Sequence, residues 1–161
     1  MAKLEYASSF RDLIVYRKAR ELSLAIFRLT KRFPKEENYS LTDQIRRSSR
    51  SIGAQIAESW AKRRYEKHFV SKLTDSDGEQ QETQHWIETA FDCEYISQEE
   101  ANALLEKCVE IGRLLGGMIA KAEQFCNPSP YQIREEQANY FVNPLLKPSA
   151  KTEHWILSTE H

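Results

Sequence analysis

Two sets of side chains in this sequence are spaced to do chemistry. Glu82 and His85 stand three residues apart, the spacing by which a helix presents a carboxylate and an imidazole to one metal ion. A dimetal site in a helical bundle needs a second such pair and two further glutamates on facing helices. No second Glu-x-x-His occurs, and His68, His154 and His161 offer no ligand spacing. No metal and no cofactor is therefore expected, and Glu82 and His85 read as a surface carboxylate beside a partly buried imidazole. Nucleophilic catalysis finds no support either. There is no Gly-x-Ser-x-Gly and no phosphate-cradling glycine loop, the turns that such chemistry requires. Ser48, Ser49 and Ser51 read as small-residue packing. No catalytic residue is expected, and the chain is read as a non-enzyme.

The second set is basic. Arg46 and Arg50 lie four apart, so two like charges share one face of a helix, with Arg47 beside them. Lys62, Arg63, Arg64 and Lys67 extend the set. Self-repulsion of this kind calls for a neutralising partner. Phosphate contacts would be salt-sensitive and largely blind to sequence, and Trp60, Tyr65 and Tyr39 stand near enough in sequence to stack on bases. The plainer reading is a solvated helix face, or one that meets an acidic helix. Arg47, Glu58 and Glu82 fall near the packed seams, where a charge must be paired or hydrogen-bonded. They are read as a structural polar network that fixes helix register, with an anion pocket as the alternative.

The charge of the whole chain sharpens this choice. Residues 1–72 hold 17 Lys and Arg against 8 Asp and Glu, a net +9. Residues 73–161 hold 6 against 16, a net −10, which recovers the total of −1. Either the basic half meets an acidic partner such as RNA or DNA, or the two halves neutralise each other within or between subunits. The three cysteines form no Cys-x-x-Cys pair and are odd in number, which reads as reduced thiols in a cytoplasmic protein. No apolar run approaches the roughly 20 residues of a membrane span, so no membrane partner is expected. Met1 to Phe10 lacks the apolar core of a signal peptide.

The elements that must carry these residues are helical. Ser9 with Asp12 predicts a helix start, and Pro34 stops continuation past Phe33. Leu13, Tyr16, Ala19, Ser23, Ile26, Thr30 and Phe33 form one row, and Val15, Leu22 and Leu29 a second. Together they span roughly 160° of arc, wider than the roughly 100° stripe of a single core. The width predicts a second buried face against another subunit. The next helix starts near Ser40 and runs its seam through Leu41, Ile45, Ser48, Ile52, Ile56 and Ser59 or Trp60, with small residues Ser48, Ser51, Ala54 and Ala57 admitting a close neighbour. The third opens on Phe69 and Leu73 and resumes at Trp86, Ile87, Ala90 and Phe91. Between them, 74–84 has no large apolar side chain and contains Gly78, which costs about 1 kcal/mol relative to Ala in a helix. The matching phase of the flanking stripes favours one continuous helix ending near Ile96 over a loop. Ser97 with Glu100 predicts a capping box for the last helix, whose seam runs through Ala101, Leu104, Leu105, Cys108, Ile111, Leu115, Met118, Ile119, Ala122 and Phe125. Gly112 and Gly116 hint at tight packing there. The fold class is all-α: an antiparallel up-down four-helix bundle over 10–126, preceded by an arm, 1–9, and followed by a Pro-punctuated C-terminal tail, 127–161, that is mobile in part.

On these motifs the chain resembles the four-helix-bundle family of 23S rRNA intervening sequence proteins. The resemblance is carried by Phe10-x-x-Leu13-x-Val15-Tyr16-x-x-Ala19, by Thr30-x-x-Phe33-Pro34 and by Leu41-x-x-Gln44-Ile45-Arg46-Arg47-Ser48. Ser51-Ile52, Ile56-Ala57-Glu58 and Glu82-Thr83-Gln84 complete it. The chain departs from the pattern at Gln55, Ser59 and the Asp77-Gly78 region. The resemblance implies an oligomeric bundle, with a pentamer a known arrangement. It also implies a link to nucleic acid, because some members are encoded inside rRNA inserts and a related branch serves diversity-generating retroelements. No enzymatic role is established for the family. Residues and resemblance together favour a homo-oligomer that binds RNA or DNA through the basic surface of the first two helices. The alternative is a self-assembling structural or adaptor protein whose partner is another protein.

Overall fold

The computed structural model of the protein describes residues 7–126. Four long helices follow one another: α1 (Ile14–Thr30), α2 (Leu41–Ala61), α3 (Glu66–Asp92) and α4 (Gln98–Ala120). One further turn of helix, α5 (Ala122–Cys126), ends the described chain. No strand occurs among the described residues. α2 packs between α1 and α3, and α4 lies against both α3 and α1. With short connections between consecutive helices, this is the up-down-up-down bundle. Among the described residues no helix is long and apolar enough to cross a membrane. The predicted tail lies outside the described residues.

The first helix starts later than Ser9. The Ser9 hydroxyl accepts from Arg11 N–H, and the Asp12 carboxylate accepts from the backbone of Ser8 and Ser9. These bonds close a short 3-10 turn, Phe10–Asp12, and Leu13 then sits in extended backbone before α1 begins. Burial pushes the Asp12 carboxyl up, but bonds from the Ser8 hydroxyl and from the Ser8 and Ser9 N–H groups, with the charge of Arg17, hold it below the usual range. Leu13 is fully buried, so the kink lets the chain plug one end of the core before it turns up the bundle. The helix ends at Thr30, and Phe33 is buried beyond it, its ring 5.4 Å from that of Tyr95.

The wide arc of α1 is consumed at home. Ala19, Ile26 and Thr30 from one row and Val15 and Leu22 from the other are all buried in this chain's own core. The apolar residues left outward are different ones: Leu24 is 46% exposed and Phe27 is half-buried. The width of the arc is therefore accounted for by packing within this chain and does not by itself call for a second subunit.

Helix α2 buries Leu41, Ile45, Ser48, Ile52, Ile56 and Ser59, as the heptad-like spacing predicts. Its first N–H groups are not served by Ser40. The Glu37 carboxylate accepts from Leu41 N–H through one oxygen and from the Tyr95 hydroxyl through the other. The close seam is made by Ser48, Ser49, Gly53 and Ser59; Ala54 is exposed, and Ser51 and Ala57 are only half-buried.

Helix α3 runs unbroken through its polar middle. Gly78 has open space around its Cα, so it weakens the helix only through its own backbone freedom. The fully buried polar residues facing α2, Ser76 and Thr83, are small and hydrogen-bonded. The Ser76 hydroxyl donates to the Ile52 carbonyl at 2.9 Å. The hydroxyls of Ser48 and Thr83 sit 2.9 Å apart, and Thr83 also reaches the Glu79 carbonyl. Buried hydroxyls are tolerated on these terms. The helix ends at Asp92, not near Ile96. Glu94 takes the left-handed conformation (φ 60°), Tyr95 N–H bonds the Ala90 carbonyl and Glu94 N–H the Phe91 carbonyl, a Schellman stop with Glu where Gly is usual. Ser97 and Glu100 then form the expected capping box.

Helix α4 buries Ala101, Leu104, Cys108, Ile111, Leu115 and Met118. Gly112 is the close approach: a Cβ there would lie 2.8 Å from the Gln80 amide of α3. Gly116 has no neighbour within 4 Å and makes no such contact. The helix breaks at Lys121, and α5 turns Phe125 back onto Phe69, ring centroids 5.5 Å apart and nearly parallel.

Candidate nucleic-acid interface

The seven basic residues fall into two groups. Arg46, Arg47 and Arg50 line one polar cleft of about 450 Å³ on α2, together with Asn38, Thr42 and Asp43. Lys62, Arg63 and Arg64 occupy the turn between α2 and α3, and Lys67 lies in the first turn of α3. Arg50 and Lys62 are twelve residues apart, about 18 Å along a helix axis.

Within the first group, successive positions 100° apart on the helix send neighbours to different partners. Arg46 and Arg50 turn toward α1. The Arg46 Nε donates to the Thr30 hydroxyl at 2.7 Å, and both guanidiniums lie over the Phe27 ring, at 5.0 and 5.7 Å from its centroid. Lys31 approaches the same ring at 4.8 Å. The negative face of one aromatic ring thus holds three cations together. Lys31 also closes the C-terminal end of α1, where a cation suits the helix dipole. Arg47 turns toward α3, bonding Gln44 at 3.2 Å and the Glu82 carboxylate at 3.3 Å.

In the second group, Arg63 acts as a cap. Its guanidinium lies 3.5 Å from the Trp60 ring centroid and its Nε donates to the Trp60 carbonyl. Burial pushes its pKa down. Lys62, Arg64 and Lys67 are exposed. Tyr39 and Tyr65 are exposed too, at 97% and 58%, whereas Trp60 is taken by Arg63.

The three residues read as one polar network do not meet as one. Arg47 and Glu82 pair, and Glu82 also accepts from the Trp86 indole at 3.1 Å. Glu58 stands apart, paired with Lys72 at 2.8 Å, which in turn reaches Asp75 and Gln55. The hydrogen bond from Lys72 holds the Glu58 carboxyl below its usual range. Spacing cannot find this arrangement, because Lys72 is an ordinary surface lysine in the sequence. Between the two pairs sits Glu79, one carboxylate oxygen buried without a hydrogen-bond partner. Burial raises its pKa, Glu82 and Asp75 add to the rise, and Arg47 opposes it. A folded pKa above the unfolded one favours the fold most below the unfolded value. That contribution fades as pH rises through the folded value. Glu79→Gln is therefore expected to raise the urea midpoint at pH 7 and to lose that advantage below pH about 4, near the ordinary glutamate value. Equal midpoints at pH 7 would refute the cost assigned to Glu79.

His85 lies edge-on to Trp86, its centroid 4.6 Å away. Among the described residues no three His, Cys, Asp or Glu side chains gather as a metal site. Cys108 is buried in the core, and burial pushes its thiol up to about 12, an inert group.

The charge split is partly resolved inside the chain. Lys18–Glu110 and Arg32–Glu100 tie α1 to α4, and Arg47–Glu82 ties α2 to α3. Arg46, Arg50, Lys62, Arg63, Arg64 and Lys67 form no ion pair among the described residues. Sequence reasoning missed Phe27, Lys31 and Thr30, which hold the arginines. The only trace of Phe27 was its place beside Leu24, off the seam of α1.

No curated protein matches the chain. Among solved structures, a protein of the S23 ribosomal protein family from Bacteroides thetaiotaomicron matches with a TM-score of 0.59 and 28% identity. The match covers 66% of this chain and 98% of that one. The sequence profile described as 23S rRNA-intervening sequence protein matches residues 11–117. With that match over most of the chain and with the helical architecture of the bundle, this chain belongs to the 23S rRNA-intervening sequence protein family.

Proposed function

We propose that this chain is a non-enzymatic, cytoplasmic homo-oligomer, with a pentamer as its expected form, that binds RNA or DNA through the basic surface of α2 and its turn into α3. The observation that carries the reading is a set of cations that form no ion pair among the described residues. These are Arg46, Arg50, Lys62, Arg64 and Lys67, while the neighbouring Arg47 is paired. Arg46 and Arg50 are held side by side at a cost in repulsion, which a phosphate chain would relieve. Assembly into a ring would add these surfaces together and raise avidity for a polyanion. The family's name, which refers to an rRNA insert, agrees with such a partner. The rival reading is an adaptor for another protein. It draws on the α4 surface, where Val109 is 60% exposed between Glu106 and Glu110.

The test is a salt series on labelled RNA and duplex DNA. Five cations on phosphates give a log–log slope of about −4.5 and a loss of about 500-fold between 50 and 200 mM salt. An Arg46→Ala, Arg50→Ala variant that assembles as the parent does should lose about 2 from that slope and about tenfold in affinity. Arg47 is left in place because its loss would strand Glu82. Absence of binding at low salt sinks the nucleic-acid reading and favours the adaptor. A monomeric mass at micromolar concentration sinks the assembly.

A further inference from the structure

A second depression opens beside the arginine cleft. It runs between α1 and α2, has a volume of about 610 Å³, and is walled by Phe10, Tyr16, Leu24 and Phe27 over a floor of Gly53 and Ala57. Arg50 lines both this groove and the polar cleft, so the two are continuous. Arg20 stands on the opposite rim with no ion pair among the described residues, its guanidinium 3.4 Å from the Tyr16 hydroxyl. Glu21 is the one carboxylate in the lining. Leu24, 46% exposed, leaves apolar surface facing water on this flank of α1.

We propose that this groove seats the bases of a single nucleic-acid strand while Arg20, Arg46 and Arg50 hold its phosphates. The inference rests on the nucleic-acid reading above and narrows it to unpaired strands. The groove's chemistry is of two kinds set side by side: flat apolar and aromatic walls, and a rim of guanidinium groups. An unpaired strand offers the matching pair, π-faces that stack on aromatic or guanidinium planes and a phosphate chain. A duplex keeps its base faces stacked inside and can meet only the rim. An acidic amphipathic peptide would match the charge, but it has no use for planar rings under a guanidinium rim. Three of the four wall residues are aromatic, the guanidiniums over Phe27 and Phe10 offer planes of their own for a base to stack on, and the net charge of the rim is positive; all three favour the strand.

The deciding measurement compares a short oligothymidine carrying one 2-aminopurine with a blunt duplex of the same length at one salt concentration, read by anisotropy and by 2-aminopurine emission. Wild type should bind the single strand about tenfold tighter than the duplex, the factor that stacking of one base supplies, and the emission should change on binding. Ala57→Leu fills the groove at a residue that lies outside the arginine cleft. Single-strand affinity should fall to the duplex value, duplex affinity should hold, and the emission change should vanish. If that variant does not fold, the wild-type emission alone decides. Equal affinity for both forms with unchanged emission overturns the groove and leaves the nucleic-acid reading standing. No binding to either at low salt overturns both. A change in the mass of the assembly on filling the groove makes it a contact between copies and overturns the proposal.

Discussion

Phe69→Ala is expected to cost about 3–5 kcal/mol, the range for removing a buried aromatic ring. Phe69 sits in the first turn of α3, fully buried, with Phe125 of α5 stacked on it. Both the transfer of the ring from water and its packing against Phe125 are lost, and the bundle end can collapse only partly around the void. Domains of this size have a total stability of about 5–15 kcal/mol, so the variant should unfold at far lower denaturant. It should also loosen α5, which stacks Phe125 on this ring. Phe91→Ala is the control: at 37% exposure its ring gains little from the core and its loss should cost less than about 1 kcal/mol. Urea unfolding followed by circular dichroism reads both. A Phe69→Ala cost no greater than that of Phe91→Ala would show that α5 and the end of the core carry no stability.

The second large effect concerns the seam between α2 and α3. Ser76 is fully buried, and its hydroxyl reaches across to the Ile52 carbonyl at 2.9 Å. With Ser48 and Thr83 farther along the seam, it sets how closely the two helices approach. A leucine in place of Ser76 has no room and must force the helices apart, which costs about 1–3 kcal/mol for overpacking. Here the upper end is expected, because parting the helices also strains the Ser48–Thr83 contact. Ser71→Leu, at an exposed site on the same helix, should change stability by less than about 0.5 kcal/mol. If Ser76→Leu proves neutral, the polar seam is loosely packed and the unbroken course of α3 needs another cause.

Much of the fold was legible in the sequence, for a physical reason. A helix with one buried face repeats its contacts every 3.6 residues. The rows of α2 and α4 therefore predict burial: the α2 row from Leu41 to Ser59 is buried, and so is the α4 row from Ala101 to Met118 except that Leu105 and Ile119 at its margin are half-buried. The Ser97–Glu100 box was legible because capping needs only four consecutive residues. Local grammar failed where a distant group supplied the bond. Ser40 looked like a cap, but Glu37 and Tyr95 organise that corner. The end of α3 was misplaced because Glu94, with no glycine to announce it, takes the left-handed turn. On α1 the width of the apolar arc was legible and its meaning was not. A helix packed against both α2 and α4 needs a wide arc without any second subunit.

The candidate site divides the same way. Arg46, Arg47 and Arg50 as a basic cluster follow from sequence alone, since helical spacing places them on one side of α2. Their fates follow from tertiary structure. Only the fold brings Phe27 and Lys31 of the α1 end under Arg46 and Arg50, gives Glu82 to Arg47, and hands Glu58 to Lys72. Sequence by itself determined the four helices, their buried faces and the asymmetry of charge, because these depend on periodicity and counting along one chain. Which cations are paired and which form no ion pair among the described residues was decided by the packing of the helices. Pairing acts through space over a few ångströms, and neighbours at that range come from segments far apart in sequence.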